Sequence, residues 1–268
     1  ALVEIARGLA DASDRTTGSG LDAKGFLLTL ALALLIGVIA TGLAWPAAWV
    51  IGRRAAPWTA LLLAPLLLPS YLVYSAWDLL RAPGSAFGDW LAAGPAWRSV
   101  WAGYIMAVGG MALWSWPIAA IPLAAGIRRL GAAPLEAARL ETRSGARAGA
   151  LVLGQMRGAT ACAVALVTLV ALGSAVPLHL AQIPTHAIEI WRLLDETGAD
   201  ERWRVWLASW PLVVVAVCGA TLLTHIARGS TSSHQPLAQE RARAGLWPSA
   251  VAWTVWGLAA LVQMILFL

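Results

Sequence analysis

The chain has 268 residues, of which 59% are hydrophobic and 12% charged, with 19 Lys plus Arg against 14 Asp plus Glu. Soluble domains carry about 45–50% apolar and about 25% charged residues, so these values, with a mean hydropathy of +0.71, exclude a water-soluble globule. The net charge of +5 in so apolar a chain reports on which loops carry the basic residues and does not point to nucleic acid.

The charged residues delimit six charge-free runs, at residues 25–52, 55–77, 99–127, 158–188, 205–227 and 244–268. Each exceeds the roughly 20 apolar residues that cross a bilayer as a helix. Trimmed of loop residues, the runs predict helices over Phe26–Ile51, Trp58–Trp77, Ser99–Gly126, Ala159–Val176, Val205–Ile226 and Pro248–Leu268. The expected fold is an all-α, polytopic membrane bundle of about six spans. A transmembrane β-barrel would alternate apolar and polar residues over about ten-residue segments, whereas residues 61–68, Leu-Leu-Leu-Ala-Pro-Leu-Leu-Leu, are apolar on every side.

Cytoplasmic loops carry the excess of Lys and Arg, which orients the bundle. The connections after the first, third and fifth helices hold 11 basic residues (Arg53, Arg54, Arg128, Arg129, Arg139, Arg143, Arg147, Arg157, Arg228, Arg241, Arg243) against three acidic ones, Glu136, Glu141 and Glu240. The opposite face holds the remaining eight basic and eleven acidic residues, so the faces differ as +8 against −3. Residues 1–25 form an external amino-terminal segment, 127–158 a long cytoplasmic connection and 229–247 a cytoplasmic linker. The chain starts at Ala1 without an initiator Met or signal peptide and stops at Leu268 with no polar flank. It reads as an excerpt of a longer chain that begins with at least one earlier helix.

Along the chain, Pro46, Pro65, Pro69, Pro117 and Pro122 fall inside apolar runs. Each frees a backbone carbonyl that must find protein or cavity water, and broken helices often line transporter sites. No charged residue lies near the middle of a predicted span; Asp78 and His225 fall at span ends. Coupling ions usually require such a residue, so ATP-driven coupling through a separate subunit fits better than ion coupling. In the external segment 177–204, Thr185 is placed to cap a short solvated helix on which His186 and Glu189 share a face; two histidines with scattered carboxylates make only a weak metal signal. The sixteen Trp residues, among them Trp45, Trp49, Trp58, Trp77, Trp97, Trp101, Trp203, Trp206 and Trp247, sit mostly near span ends, as interfacial belts do. Cys162 and Cys218 lie in apolar runs and read as small buried hydrophobes. Nothing resembles a phosphate loop, a zinc spacing or a nucleophile elbow, and Ser70, Ser115 and Ser174 have no nearby His in sequence.

The connection 127–158 is the most informative segment. Gly131 punctuates it, Pro134 suits a first helical position, Glu136 sits in the first turn where the helix dipole favours an anion, and Ser144-Gly145 offers a stop. Leu135–Ser144 is therefore expected to form a short surface helix, with Arg139, Arg143 and Arg147 stacking as a basic stripe if it continues. On spacing alone the loop suits anionic lipid headgroups.

Glu136-Ala137-Ala138-Arg139-Leu140-Glu141 resembles the Glu-Ala-Ala loop of the permease subunits of ABC importers. Trp114-Ser115-Trp116-Pro117, Ile127-Arg128-Arg129-Leu130 and Leu68-Pro69-Ser70-Tyr71 also match that family's style, in particular its iron(III) type, whose long form repeats a six-helix unit. The loop is a degenerate version, with Thr142 where the pattern has Gly and Gly154-Gln155 where it has Leu-Pro. The resemblance implies that residues 26–228 are one permease unit and that 248–268 opens a second repeat. Glu136, Ala137, Ala138, Arg139, Leu140 and Arg143 would then form a coupling helix docked on a cytoplasmic ATP-binding subunit, which binds the ATP; the chain itself needs no cofactor, metal or catalytic residue. Pro65, Pro69, Ser70, Trp116 and Pro117 would be pathway candidates. The further partners implied are an external or periplasmic substrate-binding protein, a second permease half or copy, and membrane lipid, in a bacterial inner membrane. The alternatives are an ATP-independent secondary transporter and a non-transporting membrane anchor or assembly protein, with an intramembrane serine hydrolase more distant.

Overall fold

The computed structural model describes residues 23–53, 64–67, 69–130, 153–196 and 202–229, with residues 254 and 257. The described elements, in order, are α1 (Ala23–Arg53), a 3₁₀ turn (Ala64–Leu67), α2 (Ser70–Leu79), α3 (Ala86–Ala92), α4 (Ala96–Leu130), α5 (Arg157–Gly173), α6 (Ala175–Leu180), α7 (His186–Glu196) and α8 (Arg202–Gly229). No strand occurs among the described residues. Among the described residues, three helices are long and apolar enough to cross a membrane: Ala23–Gly52, Ala96–Leu130 and Trp203–Ile226. The chain is thus an all-helical membrane protein. α5, at 17 residues, is a shorter apolar helix.

Small residues set the packing. On α1 the buried positions Ile36, Ala40, Ala44, Ala47, Ala48 and Ile51 recur at helical spacing, each 4% exposed or less, while Leu27, Leu34, Leu35, Val38 and Ile39 face outward. On α4 the matching face is Ala107, Ala112, Ala119, Ala120 and Ala124, with Trp116 and Leu123 sealed among them. Alanine on both surfaces lets two helices approach closely, which is how helices associate where lipid leaves no hydrophobic drive. A Cβ built on Gly52 would stand 2.8 Å from Ile127. The carboxyl ends of α1 and α4 therefore meet, and the two helices run parallel. α5 runs back between them: Gly37 of α1 lies against Val164 and Thr168, and Gly126 of α4 against Ala159 and Met156. α8 packs outside α5, with Gly219 on Leu169 and Gly158 near Ile226.

This register gathers Arg53, Arg128, Arg129, Arg157 and Arg228 at one end of the bundle, hereafter the basic end, because they lie in the first or last turn of α1, α4, α5 and α8. α4 is 35 residues long, about 52 Å at 1.5 Å per residue. It exceeds the roughly 30 Å hydrocarbon layer and is accommodated by tilt or by extension beyond it. In its most apolar window 61% of residues are buried, against 6% for α8, so α4 is the central helix and α8 the peripheral one.

Two predicted spans are not single helices. Among the described residues, the run predicted as Trp58–Trp77 contains a 3₁₀ turn over Ala64–Leu67 followed by a separate α-helix from Ser70. Pro65 and Pro69 account for this, since proline supplies no amide hydrogen and turns the preceding residue away from helical geometry. The run predicted as Ala159–Val176 breaks at Ser174 (φ −98, ψ 67) before α6. Pro177 cannot donate to the Gly173 carbonyl and its ring crowds it, while the Ser174 hydroxyl donates to the Val170 carbonyl at 3.1 Å. The predicted last span, 248–268, lies outside the described residues apart from Thr254 and Gly257.

Packing at Gly37 is the contact most sensitive to one added methyl. A Cβ there would stand 2.5 Å from Thr168 Oγ1 and 2.8 Å from the Val164 carbonyl oxygen, whereas nothing lies within 4 Å at Gly42. Overpacking costs about 1–3 kcal/mol, so Gly37→Val is expected to lower the thermal midpoint in detergent and Gly42→Ala to leave it unchanged or raised. Equal midpoints for the two variants would refute the α1–α5 register.

Candidate functional site

Glu136, Ala137, Ala138, Arg139, Leu140 and Arg143 lie outside the described residues. The anchors of their connection are nevertheless defined. α4 ends at Leu130, and a helical turn at 153–155 leads into α5. Gly126 touching Ala159 and Met156 makes the two anchors adjacent at the basic end.

The pathway candidates separate into two groups. Trp116 and Pro117 are less than 2% exposed in the core of α4, and Pro117 leaves the Leu113 carbonyl without its intrahelical donor. Pro69 is exposed and Ser70 half-buried. The 3₁₀ turn carrying Pro65 and the helix carrying Ser70 both pack against α4. Pro69, Ser70, Trp116 and Pro117 line neither cleft described below. The indole Nε1 of Trp116 is buried with no hydrogen-bond partner, as is Thr41 Oγ1 on α1. Such groups are costly to leave unpaired and are rare in cores. Ser115 shows the usual remedy, its hydroxyl donating to the Met111 carbonyl at 2.7 Å, and Thr29 and Thr168 do likewise to Gly25 and Val164. The hydroxyls of Ser115 and Ser174 are thus held by their own helices, not by a histidine.

At the end away from the basic end, sequence reasoning missed a cleft of about 650 Å³ lined by α2, α3, α4 and the end of α6. Arg81 is its centre. Its Nη1 lies 3.6 Å from Asp78 Oδ1, its Nη2 donates to Ser99 Oγ at 3.4 Å, and its Nε is buried without a partner. The rim is stiff. Ser85 Oγ accepts from the Gly88 amide at 2.8 Å and donates to the Leu80 carbonyl at 2.6 Å, and Asp89 accepts from the Gly84 amide at 3.0 Å. Gly84 supplies the positive φ of +90 that this turn requires. A half-buried guanidinium paired on one side with Asp78 can hold a polar or acidic group on its open side. The i,i+3 pair Asp78 and Arg81 was the available signal, but at a span end it reads as ordinary flanking charge.

His186 departs from the expected solvated helix, whose remaining residues are exposed or half-buried. It is 2% exposed, its amide donates to Thr29 Oγ1 at 2.9 Å, and its Nε2 lies 2.8 Å from the Ala208 carbonyl. That carbonyl can only accept, so Nε2 carries the hydrogen, and Nδ1 is left buried and unpartnered. Phe26 meets the ring edge-on at 5.5 Å. One residue therefore ties α7 to α1 and α8. Thr185 caps α7 as expected in position but through its backbone carbonyl, which accepts from Ile188 and Glu189; its hydroxyl is buried and unpaired. Glu189 instead pairs with Arg192 at 2.8 Å, and no group of three metal-ligating side chains occurs among the described residues. The outer face of α7, with Trp191 and Leu194 exposed, suits a membrane interface. Trp90 and Trp97 lie near the same end under the Arg98 guanidinium.

Compared with known protein families, curated proteins and solved structures, the chain matches none.

Removing the Thr29 acceptor while the His186 amide stays buried costs about 1–3 kcal/mol. Thr29→Val, which removes the acceptor of the residue-186 amide, and His186→Ala, which removes the ring bond to the Ala208 carbonyl, are therefore each expected to lower the thermal midpoint. An unchanged midpoint in either variant would refute the clamp.

Proposed function

We propose that this chain is the permease subunit of an ATP-driven importer of the ABC class, forming a substrate pathway and taking its energy from a cytoplasmic ATPase. The Glu136-Ala137-Ala138 loop carries this reading. Its support from the fold is mechanical: the loop joins α4 to α5 at a point where these helices touch through Gly126 and Ala159. Force applied to the loop reaches the central helix and its antiparallel neighbour directly. Orientation by the positive-inside rule puts the basic end and this loop in the cytoplasm. The Arg81 cleft then opens on the other face, where a substrate-binding protein delivers its cargo.

In this mechanism closure of two ATP-binding subunits tilts α4 and α5 between outward and inward openings, with a second permease half completing the pathway. The unpaired Trp116 indole and Thr41 hydroxyl are the core groups that such a tilt would supply with partners. The cargo named by the resemblance is iron(III), handled as substrate, and the compartment is the bacterial inner membrane. Buried His186 favours a second reading, an ion-coupled secondary transporter, because its Nδ1 is buried without a hydrogen-bond partner. It stands at the first turns of α1 and α8, beside Phe26, Thr29 and Ala208, rather than at mid-membrane, so the first reading is preferred.

Co-purification of the parent chain with its candidate ATPase separates them. Wild type is expected to capture the ATPase, and Glu136→Lys and deletion of residues 134–147 to abolish capture without loss of helical circular dichroism. Failure of the folded wild type to capture it would sink the importer reading. Trp116→Phe removes an unpaired donor but opens a cavity in the core, so a modest fall in thermal midpoint is expected together with lower transport per folded molecule; unchanged transport would remove Trp116 from the pathway.

A further inference from the structure

α5 forms the floor of a trough that opens sideways from the bundle. α1 and α8 flank it, so that Leu34 and Val215 stand as its walls, and the trough encloses about 610 Å³, within the roughly 300–1,000 Å³ of small-molecule sites. The floor is made shallow and smooth by Ala161, Val164 and Ala165, and continues to Leu172. At its basic end are Arg157 and, one turn on, Thr160. The apolar length from Arg157 to Leu172 is about 22 Å at 1.5 Å per residue, more than the roughly 15 Å depth of one leaflet.

Two observations identify an occupant. Arg157 is exposed and makes no ion pair among the described residues, although it stands at the mouth of an otherwise apolar groove. Thr160 Oγ1, on the same face, is buried with no hydrogen-bond partner, unlike Thr168 further along, whose hydroxyl donates to Val164. A cation and a spare hydroxyl at one end of an acyl-sized trough complement a phosphate joined to a hydrocarbon chain.

We propose that this groove binds one anionic phospholipid of the basic-end leaflet, with the phosphate on the Arg157 guanidinium and an acyl chain along Val164, Ala165 and Leu172. The Thr160 hydroxyl reaches the headgroup by rotation about its Cα–Cβ bond. The bound lipid bridges α1, α5 and α8, a mortar between the central helices and the peripheral one. The inference is independent of the transport reading.

The full chain, purified in detergent, is titrated with phosphatidylglycerol, phosphatidylcholine or inorganic phosphate and followed by native mass spectrometry and thermal midpoint. Wild type is expected to retain one phosphatidylglycerol with a raised midpoint, to retain phosphatidylcholine more weakly and to ignore phosphate. Arg157→Gln should weaken phosphatidylglycerol retention about fivefold, as expected for one basic residue at an anionic surface, and Ala161→Phe should abolish it by filling the trough. If Ala161→Phe loses its helical circular dichroism, Val215→Phe fills the trough from the opposite wall. Equal retention of the two lipids, equal retention by wild type and both variants, a response to phosphate alone, or no retained lipid would each overturn the proposal.

Discussion

Between α1 and α4 runs a seam of alanines, Ala40, Ala44, Ala47 and Ala48 on one side and Ala112, Ala119, Ala120 and Ala124 on the other, all fully buried. Within a bilayer lipid tails are as apolar as leucine, so helices associate by close van der Waals contact rather than by escaping water. Every other arrangement follows from this seam. α1 and α4 run parallel along it, and α5 packs antiparallel against both through Gly37 and Gly126. α8 meets the bundle through α5, with Gly219 on Leu169, and stays at the periphery.

The two ends of the bundle are held by different physics. At the basic end the contacts are tight and apolar, Gly52 on Ile127 and Gly126 on Ala159, beneath helix termini rich in arginine. At the other end polar groups take over: His186 ties three helices through one amide, one ring nitrogen and one aromatic edge, and Arg81 joins α2 to α4 through Ser99. In the mechanism proposed above, the close-packed basic end would carry displacement from the loop into α4 and α5.

The membrane-spanning segments were legible because a charge is expensive inside a bilayer, so the arginines and acids mark where helices leave it. The α1, α4 and α8 boundaries fall within three or four residues of those expected. The breaks at Pro69 and Ser174 were harder to see, since prolines are tolerated in many membrane helices and only the neighbouring contacts decide which ones interrupt. Burial of the singled-out residues was legible in part. Trp116 and Pro117 lie at the heart of the fold, yet Arg81 read as a flanking charge and His186 as a solvated one, because burial of an end residue depends on helices far away in sequence, here Thr29 and Ala208.

Composition and charge spacing alone determined that the chain is helical, that it crosses a membrane, and which helix ends share a face, because those properties follow from transfer free energy residue by residue. They said little about which side of each helix is inside, since Leu34 and Ala40 are both apolar and differ only in size. Tertiary packing decided that, along with the burial of His186, the Arg81 cleft and the trough on α5. These depend on the approach distance between surfaces, a property of helix pairs and not of any one helix.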